Sequence, residues 1–388
     1  MKAKTITLIL VLIAIASAIL YLESLKPVRI SPQEAQIKPN VSVAAGINSS
    51  NITQEEVRPL NKEKLAKYPL AKEIVNPSGY INTDKITVSE LVGKKVILID
   101  FWTYSCINCQ RTIPYLNSWY EKYKDKGLVI IGVHTPEFLF EQKYENVQAA
   151  VQKFGVKYPV VLDNSYSTWT AYNNLYWPHK YLIDIDGFIV YDHIGEGAYD
   201  ETEQKIQELL NERMAVLKIN ESVTTEISKP AGAMNVDFTK VGSPEVYFGA
   251  GRNVYLGNGK LNTVGIQNLS EPMEVKTNIL YLVGGWNFQD QFAENENSLA
   301  KIIFRYSAKS VYFVASAKDG ATIQVFRDGK PLGDEAGGDV VMKNGLSIVN
   351  VSEPHLYKLI EDPAGYGEHT LEIIVENPGL QAFTFTFG

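Results

Sequence analysis

The chain contains two cysteines in its 388 residues, and they stand two apart, as Cys106 and Cys109. They can serve each other or nothing, so a scaffold stapled by several disulfides is excluded. Residues 96–101 before them form an apolar run broken by one acid, Asp100, the pattern of a strand buried in a parallel sheet. After Ser105 the spacing changes, and Ile113, Leu116, Trp119 and Tyr120 share one helical face. Strand, short loop, Cys-x-x-Cys and helix together place a thiol at a helix N-terminus. Free backbone N–H groups and the positive end of the helix dipole favour a thiolate there, and a thiolate is the species that attacks a disulfide.

A chain of this length suits two domains plus a tail. Its 45% apolar and 21% charged content is that of packed globular domains. A net charge of −7 excludes nucleic acid as a partner, since a phosphate backbone needs a basic face. At the N-terminus, a basic start (Lys2, Lys4) precedes an uncharged, mostly apolar run of 18 residues, 5–22. As a helix this run would be about 27 Å long, enough for a bilayer core. Residues 1–22 are therefore expected to anchor the chain in the cell membrane, with the domains outside the cytoplasm. The alternative is a removed signal peptide, cut near Ala16-Ser-Ala18, and a secreted protein. Residues 23–67, rich in Pro, Gln, Asn and Ser, read as a flexible tether.

The first folded domain is expected over 68–214. A second buried strand spans 128–134, and a helix over 146–154 is closed by Gly155. Two strands joined at Asp186-Gly187 read as a hairpin, and Asp200-Glu-Thr-Glu203 resembles a capping box opening a last helix. Alternating strands and helices followed by a hairpin give an α/β mixed sheet flanked by helices.

Asp100-Phe-Trp-Thr-Tyr-Ser-Cys-Ile-Asn-Cys109 resembles the active-site segment of thioredoxins, with an acid six residues before the first cysteine and Pro114 five after the second. Together with Gly132-Val-His-Thr-Pro-Glu-Phe138, Tyr176-Trp-Pro178 and Gly195-Glu-Gly197, it is similar to the extracytoplasmic thioredoxin-like part of the DipZ proteins. The resemblance implies a thioredoxin fold and a thiol–disulfide oxidoreductase acting on protein disulfides or thiols. It also implies that Pro178 is a cis-proline facing the cysteine pair, with Trp177 and Trp102 on the substrate-binding side. The multi-span membrane domain of DipZ proteins has no counterpart in the sequence, so a separate membrane protein is expected as electron donor.

Residue by residue, Cys106 is the expected attacking thiolate and Cys109, one turn on, the resolving one. Asp100, under the helix in an apolar strand, is the natural proton acceptor for Cys109. The alternative is a hydrogen-bonded strand-end carboxylate without a catalytic role. His134 and Glu137, after the second strand, could tune a thiol or carry a proton; a solvated loop histidine and a helix-capping glutamate are the blander readings. No metal or other cofactor is expected. Zinc would need two further ligands, and the five histidines show no ligand spacing. A c-type haem would need histidine where Gln110 stands.

Beyond a linker at 215–236, residues 237–388 alternate in short runs separated by Gly, Asn and Asp, which reads as an all-β jelly-roll sandwich. The corresponding DipZ module resembles carbohydrate-binding sandwiches, so a glycan is the implied ligand. Trp286, Asn287 and Asp290 form a candidate surface cluster, against which core packing of Trp286 is weighed. A rival reading makes the chain a cell-surface glycan- or protein-binding molecule whose thioredoxin-like domain is not catalytic.

Overall fold

The computed structural model describes residues 62–388. The expected anchor and most of the tether lie outside the described residues. Among those described, no helix is long and apolar enough to cross a membrane. The tether was expected to reach residue 67, but its end belongs to the folded part. Helix α1 (Lys62–Lys67) is tied down by Lys64, whose Nζ lies 2.6 Å from Asp184 Oδ2 and 2.5 Å from Glu212 Oε1.

The first domain is built on a six-stranded sheet of order β1-β4-β3-β2-β5-β6. Its strands are β1 (Gly79–Ile81), β2 (Val96–Trp102), β3 (Leu128–His134), β4 (Val160–Leu162), β5 (His179–Ile183) and β6 (Ile189–Ile194). The central strand β2 pairs parallel with β3 and antiparallel with β5, and all seven of its residues are buried. Burial on both faces is why its sequence is a near-continuous apolar run. Side chains alternate across the sheet. Ile97, Ile99 and Phe101 meet Tyr172 and Tyr181, with Trp169 of α4 (Ser167–Ala171) packed against them. Leu98 and Trp102 face the other way, into the core shared with α2 (Ile107–Tyr123), α3 (Tyr144–Lys153) and α5 (Tyr199–Val216). Asp100 lies between Leu98 and Trp102 in this alternation, on the face covered by the cysteine helix.

Two local expectations change. The helix predicted over 146–154 begins at Tyr144, closed as expected by Gly155 at φ +65°. The capping box at Asp200–Glu203 is absent: α5 starts after Ala198, which has a left-handed backbone and no side-chain cap. Glu203 instead accepts hydrogen bonds from Tyr123 Oη at 2.7 Å and Ser228 Oγ at 2.7 Å, pinning the linker to the domain.

The C-terminal half is all-β, as expected, but its thirteen strands form one hydrogen-bonded network and not two separate sheets. Its strands are β7 (Val246–Tyr247), β8 (Gly265–Leu269), β9 (Leu280–Phe288), β10 (Ala293–Asn295), β11 (Ala300–Ala308), β12 (Ser310–Ser316) and β13 (Ala321–Arg327). They continue as β14 (Lys330–Pro331), β15 (Val341–Lys343), β16 (Leu346–Val351), β17 (His355–Glu361), β18 (Gly367–Val375) and β19 (Gln381–Phe387). Strand β9 pairs with β11 through Val283 and with β8 from Gly284 onwards. Gly284, at φ +95°, makes the corner, a conformation that a side chain would strain. The sheet folds over there, so Phe304 of β11 stacks on Phe387 of β19, with ring centroids 5.5 Å apart. Trp286 is fully buried: it sits in this core, its Nε1 donating to Val283 O at 3.0 Å. Core packing therefore accounts for it, and the expected surface cluster loses its aromatic member.

The halves meet through a small apolar cluster of Ile107, Phe138, Tyr312, Val314, Leu356 and Phe383. Phe383 packs edge-on against Phe138 (5.1 Å between centroids) and Phe140 (4.8 Å). Replacing Phe383 by alanine should cost about 3–5 kcal/mol by loss of burial plus the cavity left behind. Urea unfolding followed by intrinsic fluorescence checks this, and the value should fall well below that range if the halves do not rely on each other.

Candidate active site

Cys106 is the N-cap of α2. Its backbone is extended (φ −77°, ψ 117°) and its Sγ accepts the N–H of Cys109 at 3.3 Å. Negative charge on this sulfur during exchange thus faces a backbone donor and the positive end of a helix of 17 residues. The sulfur is half-buried, open to a reactant on one side, whereas Cys109 is 1% exposed. The two cysteines are not joined by a disulfide. Pro114 lies inside the helix, as expected, and leaves the carbonyl one turn before it without an N–H partner.

Beneath the helix, burial pushes the Asp100 carboxyl up to about 7, against the pull of the Lys180 ammonium. Its Oδ1 has no hydrogen-bond partner, so an acceptor stands free beside the buried thiol. Burial, followed by the hydrogen bond and charge of Cys106, pushes the Cys109 thiol up. Lys180 is 1% exposed, stands opposite Asp100 in the β2–β5 register, and donates to Gly195 O at 2.9 Å. Burial holds its ammonium below the usual lysine range, opposed by the charges of Asp100, Cys109 and Glu196. The three buried groups therefore act on one another's protonation. An isolated carboxyl would have lost its proton three decades lower, so the apolar setting turns Asp100 from a spectator charge into a usable base.

The loop leading to Cys106 is held by Glu141, which sequence reasoning missed. Fully buried, it accepts Ser105 Oγ at 2.6 Å and Ser105 N at 3.2 Å on one oxygen. Its other oxygen accepts the N–H groups of Glu137 (2.6 Å) and Phe138 (3.0 Å). The capping role imagined for Glu137 thus belongs to Glu141, four residues on. Glu137 turns to the β-half instead, accepting Tyr247 Oη at 2.8 Å and Arg252 Nη1 at 2.6 Å. Arg111 was also missed: with no exposed side-chain surface, it donates to Glu196 from Nε and Nη2 and to Asn108 Oδ1 at 2.8 Å. Its charge is thereby taken up by Glu196, the middle residue of Gly195-Glu-Gly197. Lys180 had a readable signal, a lysine amid an apolar strand, and buried lysines need a partner.

Other expected residues divide. The Trp177–Pro178 peptide is cis, and Trp177 O lies 4.0 Å from Cys106 Sγ. Trp177 lines the cleft beside the sulfur, its Nε1 donating to Thr135 O at 3.0 Å. Trp102 does not reach that cleft: it is 1% exposed, packed edge-on against His134 at 5.1 Å, because its strand position points it into the core. His134 is neither solvated nor a proton carrier at neutral pH. It ends β3 fully buried, and burial pushes its imidazole down to about 3.

A cleft of about 490 Å³ opens at Cys106, with Asn108, Trp177 and Glu137 on one wall. The opposite wall comes from the β-half, through Ser243, Glu245, Tyr247 and Arg252.

Sheet order, cysteine helix and cis-proline loop together define a thioredoxin-fold protein with a cysteine pair at a helix N-terminus. Residues 71–192 match the family described as AhpC/TSA, and residues 243–388 match the family described as a thioredoxin-like C-terminal domain. Protein DipZ of Mycobacterium bovis is 38% identical over 323 residues, which cover 82% of this chain and 43% of that protein. Thiol-disulfide oxidoreductase ResA of Bacillus anthracis is 33% identical over 153 residues, covering 38% of this chain and 82% of ResA. A solved structure described as a putative thiol:disulfide interchange protein DsbE from Chlorobium tepidum aligns with a TM-score of 0.33 at 23% identity, over 37% of this chain and 96% of that one. The chain belongs to the thioredoxin-like family of thiol–disulfide oxidoreductases. It spans less than half the length of the DipZ proteins it matches.

The raised carboxyl carries a stability consequence. Asp100 binds its proton more tightly folded than unfolded, so its contribution is fully present below its ordinary pKa and is lost as pH rises towards about 7. Asp100→Asn removes that loss. The melting temperature of the variant relative to wild type should therefore climb between pH 5 and pH 8, measured by calorimetry at both pH values; a pH-independent difference would contradict the assignment.

Proposed function

We propose that the chain reduces protein disulfides through Cys106 and Cys109. The observation that carries this reading is the half-buried Cys106 at a helix N-terminus, with Cys109 and an Asp100 carboxyl whose Oδ1 has no hydrogen-bond partner buried behind it. Cys106 thiolate attacks one sulfur of the substrate disulfide; a Cys106–substrate S–S bond forms, the substrate S–S bond breaks, and one substrate thiolate leaves. Cys109 gives its proton to Asp100 and attacks Cys106 Sγ. A Cys106–Cys109 disulfide forms and the second substrate thiolate leaves. Two electrons pass from the dithiol to the substrate, and the two cysteine protons end on its thiols. A dithiol donor then restores the pair, and a membrane protein is the proposed source.

The reductive direction is supported by charge balance. Asn108 adds no cation between the cysteines, and the nearby guanidinium of Arg111 is paired with Glu196. A thiolate without a strong stabilising cation belongs to a reducing couple. The basic start and the 18-residue apolar run support an anchored, extracytoplasmic placement. Glycan binding by the β-half is the less favoured reading, since the aromatic residue it would use is buried.

Insulin reduction by the protein should proceed with wild type and be lost in Cys106→Ser. Cys109→Ser should instead accumulate a mixed disulfide, visible as a mass increase that dithiothreitol removes. Intact insulin in the presence of wild type and a reductant would contradict the proposal.

A further inference from the structure

The cleft at Cys106 has two unlike walls. The thioredoxin-like wall offers Trp177 and Asn108, while the β-half brings Glu245, Tyr247 and Arg252 to the same opening. Three charged side chains line it: Glu137, Glu245 and Arg252. Arg252 is already engaged, its Nη1 2.6 Å from Glu137 Oε1 and its guanidinium 3.6 Å above the Tyr247 ring. Tyr247 Oη also donates to Glu137. Two acids thus face one base across the cleft: Glu245 hydrogen-bonds with Tyr247 and lies in the field of Arg252 but forms no ion pair among the described residues, so the wall keeps a net negative charge. The Glu245 side chain is exposed at the cleft mouth, and the protein around it, then the charge of Glu137, pushes its carboxyl up to about 7. With two carboxylates and one guanidinium on it, the wall favours a cation arriving beside Glu245.

We propose that the β-half forms the specificity wall of the exchange site, and that Glu245 selects disulfide substrates carrying lysine or arginine next to the attacked cysteine. This rests on the exchange reading of Cys106. It adds no chemical step, because Glu245 positions the substrate by charge while the sulfurs exchange as described. Arg252, held by Glu137 and Tyr247, keeps the wall in place and offsets only part of the negative charge of Glu137 and Glu245.

The test uses the full chain in detergent and two synthetic peptides, each closed by one internal disulfide. They differ only in a lysine or a glutamate beside the first cysteine. At pH 8 and low salt, wild type should reduce the lysine peptide with kcat/KM about tenfold above the glutamate peptide, the combined effect of one attraction gained and one repulsion avoided. The ratio should shrink at pH 6 and in high salt. Glu245→Gln should bring it near one, and Glu245→Lys should invert it. Equal rates for both peptides with wild type, or a Glu245→Lys variant that still prefers the lysine peptide, would overturn the proposal while leaving the exchange reading intact. Failure of wild type to reduce either peptide would remove the exchange reading, and this proposal with it.

Discussion

Everything at this site depends on how a charge is kept inside the sheet. Asp100 and Lys180 face each other across β2 and β5, both nearly sealed from water, directly below the helix that carries the cysteines. Neither could be buried alone without a large desolvation penalty, and together they still do not settle into a simple ion pair. Burial pulls the Asp100 carboxyl up and the Lys180 ammonium down, and each outweighs the attraction of its partner. The result is a proton reservoir near neutrality within reach of Cys109. A fully solvated pair at the surface would titrate outside the working range and could not take the thiol's proton.

The rest of the fold holds this arrangement to the cleft. Glu141 gathers three backbone N–H groups and a serine hydroxyl, fixing the approach to Cys106 and the loop after β3 with one carboxylate. The same loop carries Glu137 and Phe138 into the β-half, through an ion pair with Arg252 and ring contacts with Phe383. The cleft at Cys106 is therefore built between two domains. Domain junctions are common places for binding clefts, because two independently shaped surfaces can enclose a ligand that neither could hold alone.

The centre of the first domain was legible because a strand buried on both faces writes itself as an apolar run. Residues 128–134 form a strand at the expected positions, and Asp100 stands out in β2 as a lone acid. What stayed hidden depends on contacts distant in sequence. Arg111 pairs with Glu196 across 85 residues and Ser105 with Glu141 across 36, and no local pattern announces either. Trp102 misled because the strand's alternation, and not its nearness to Cys106, decides where it points. The capping box at Asp200 failed for a similar reason: Glu203 finds better partners in Tyr123 and Ser228 than the helix start offers. The cleft wall formed by the β-half was beyond reach, since nothing in a linear chain tells which face of one domain meets the other.

The most direct test of the account is the titration of the Asp100 carboxyl carbon by NMR in the reduced protein, assigned by its disappearance in Asp100→Asn. A midpoint near 7 is the result that the buried Asp100–Lys180–Cys109 arrangement requires. A midpoint near 4, the value of a solvated aspartate, would contradict it and leave Cys109 without its proton acceptor.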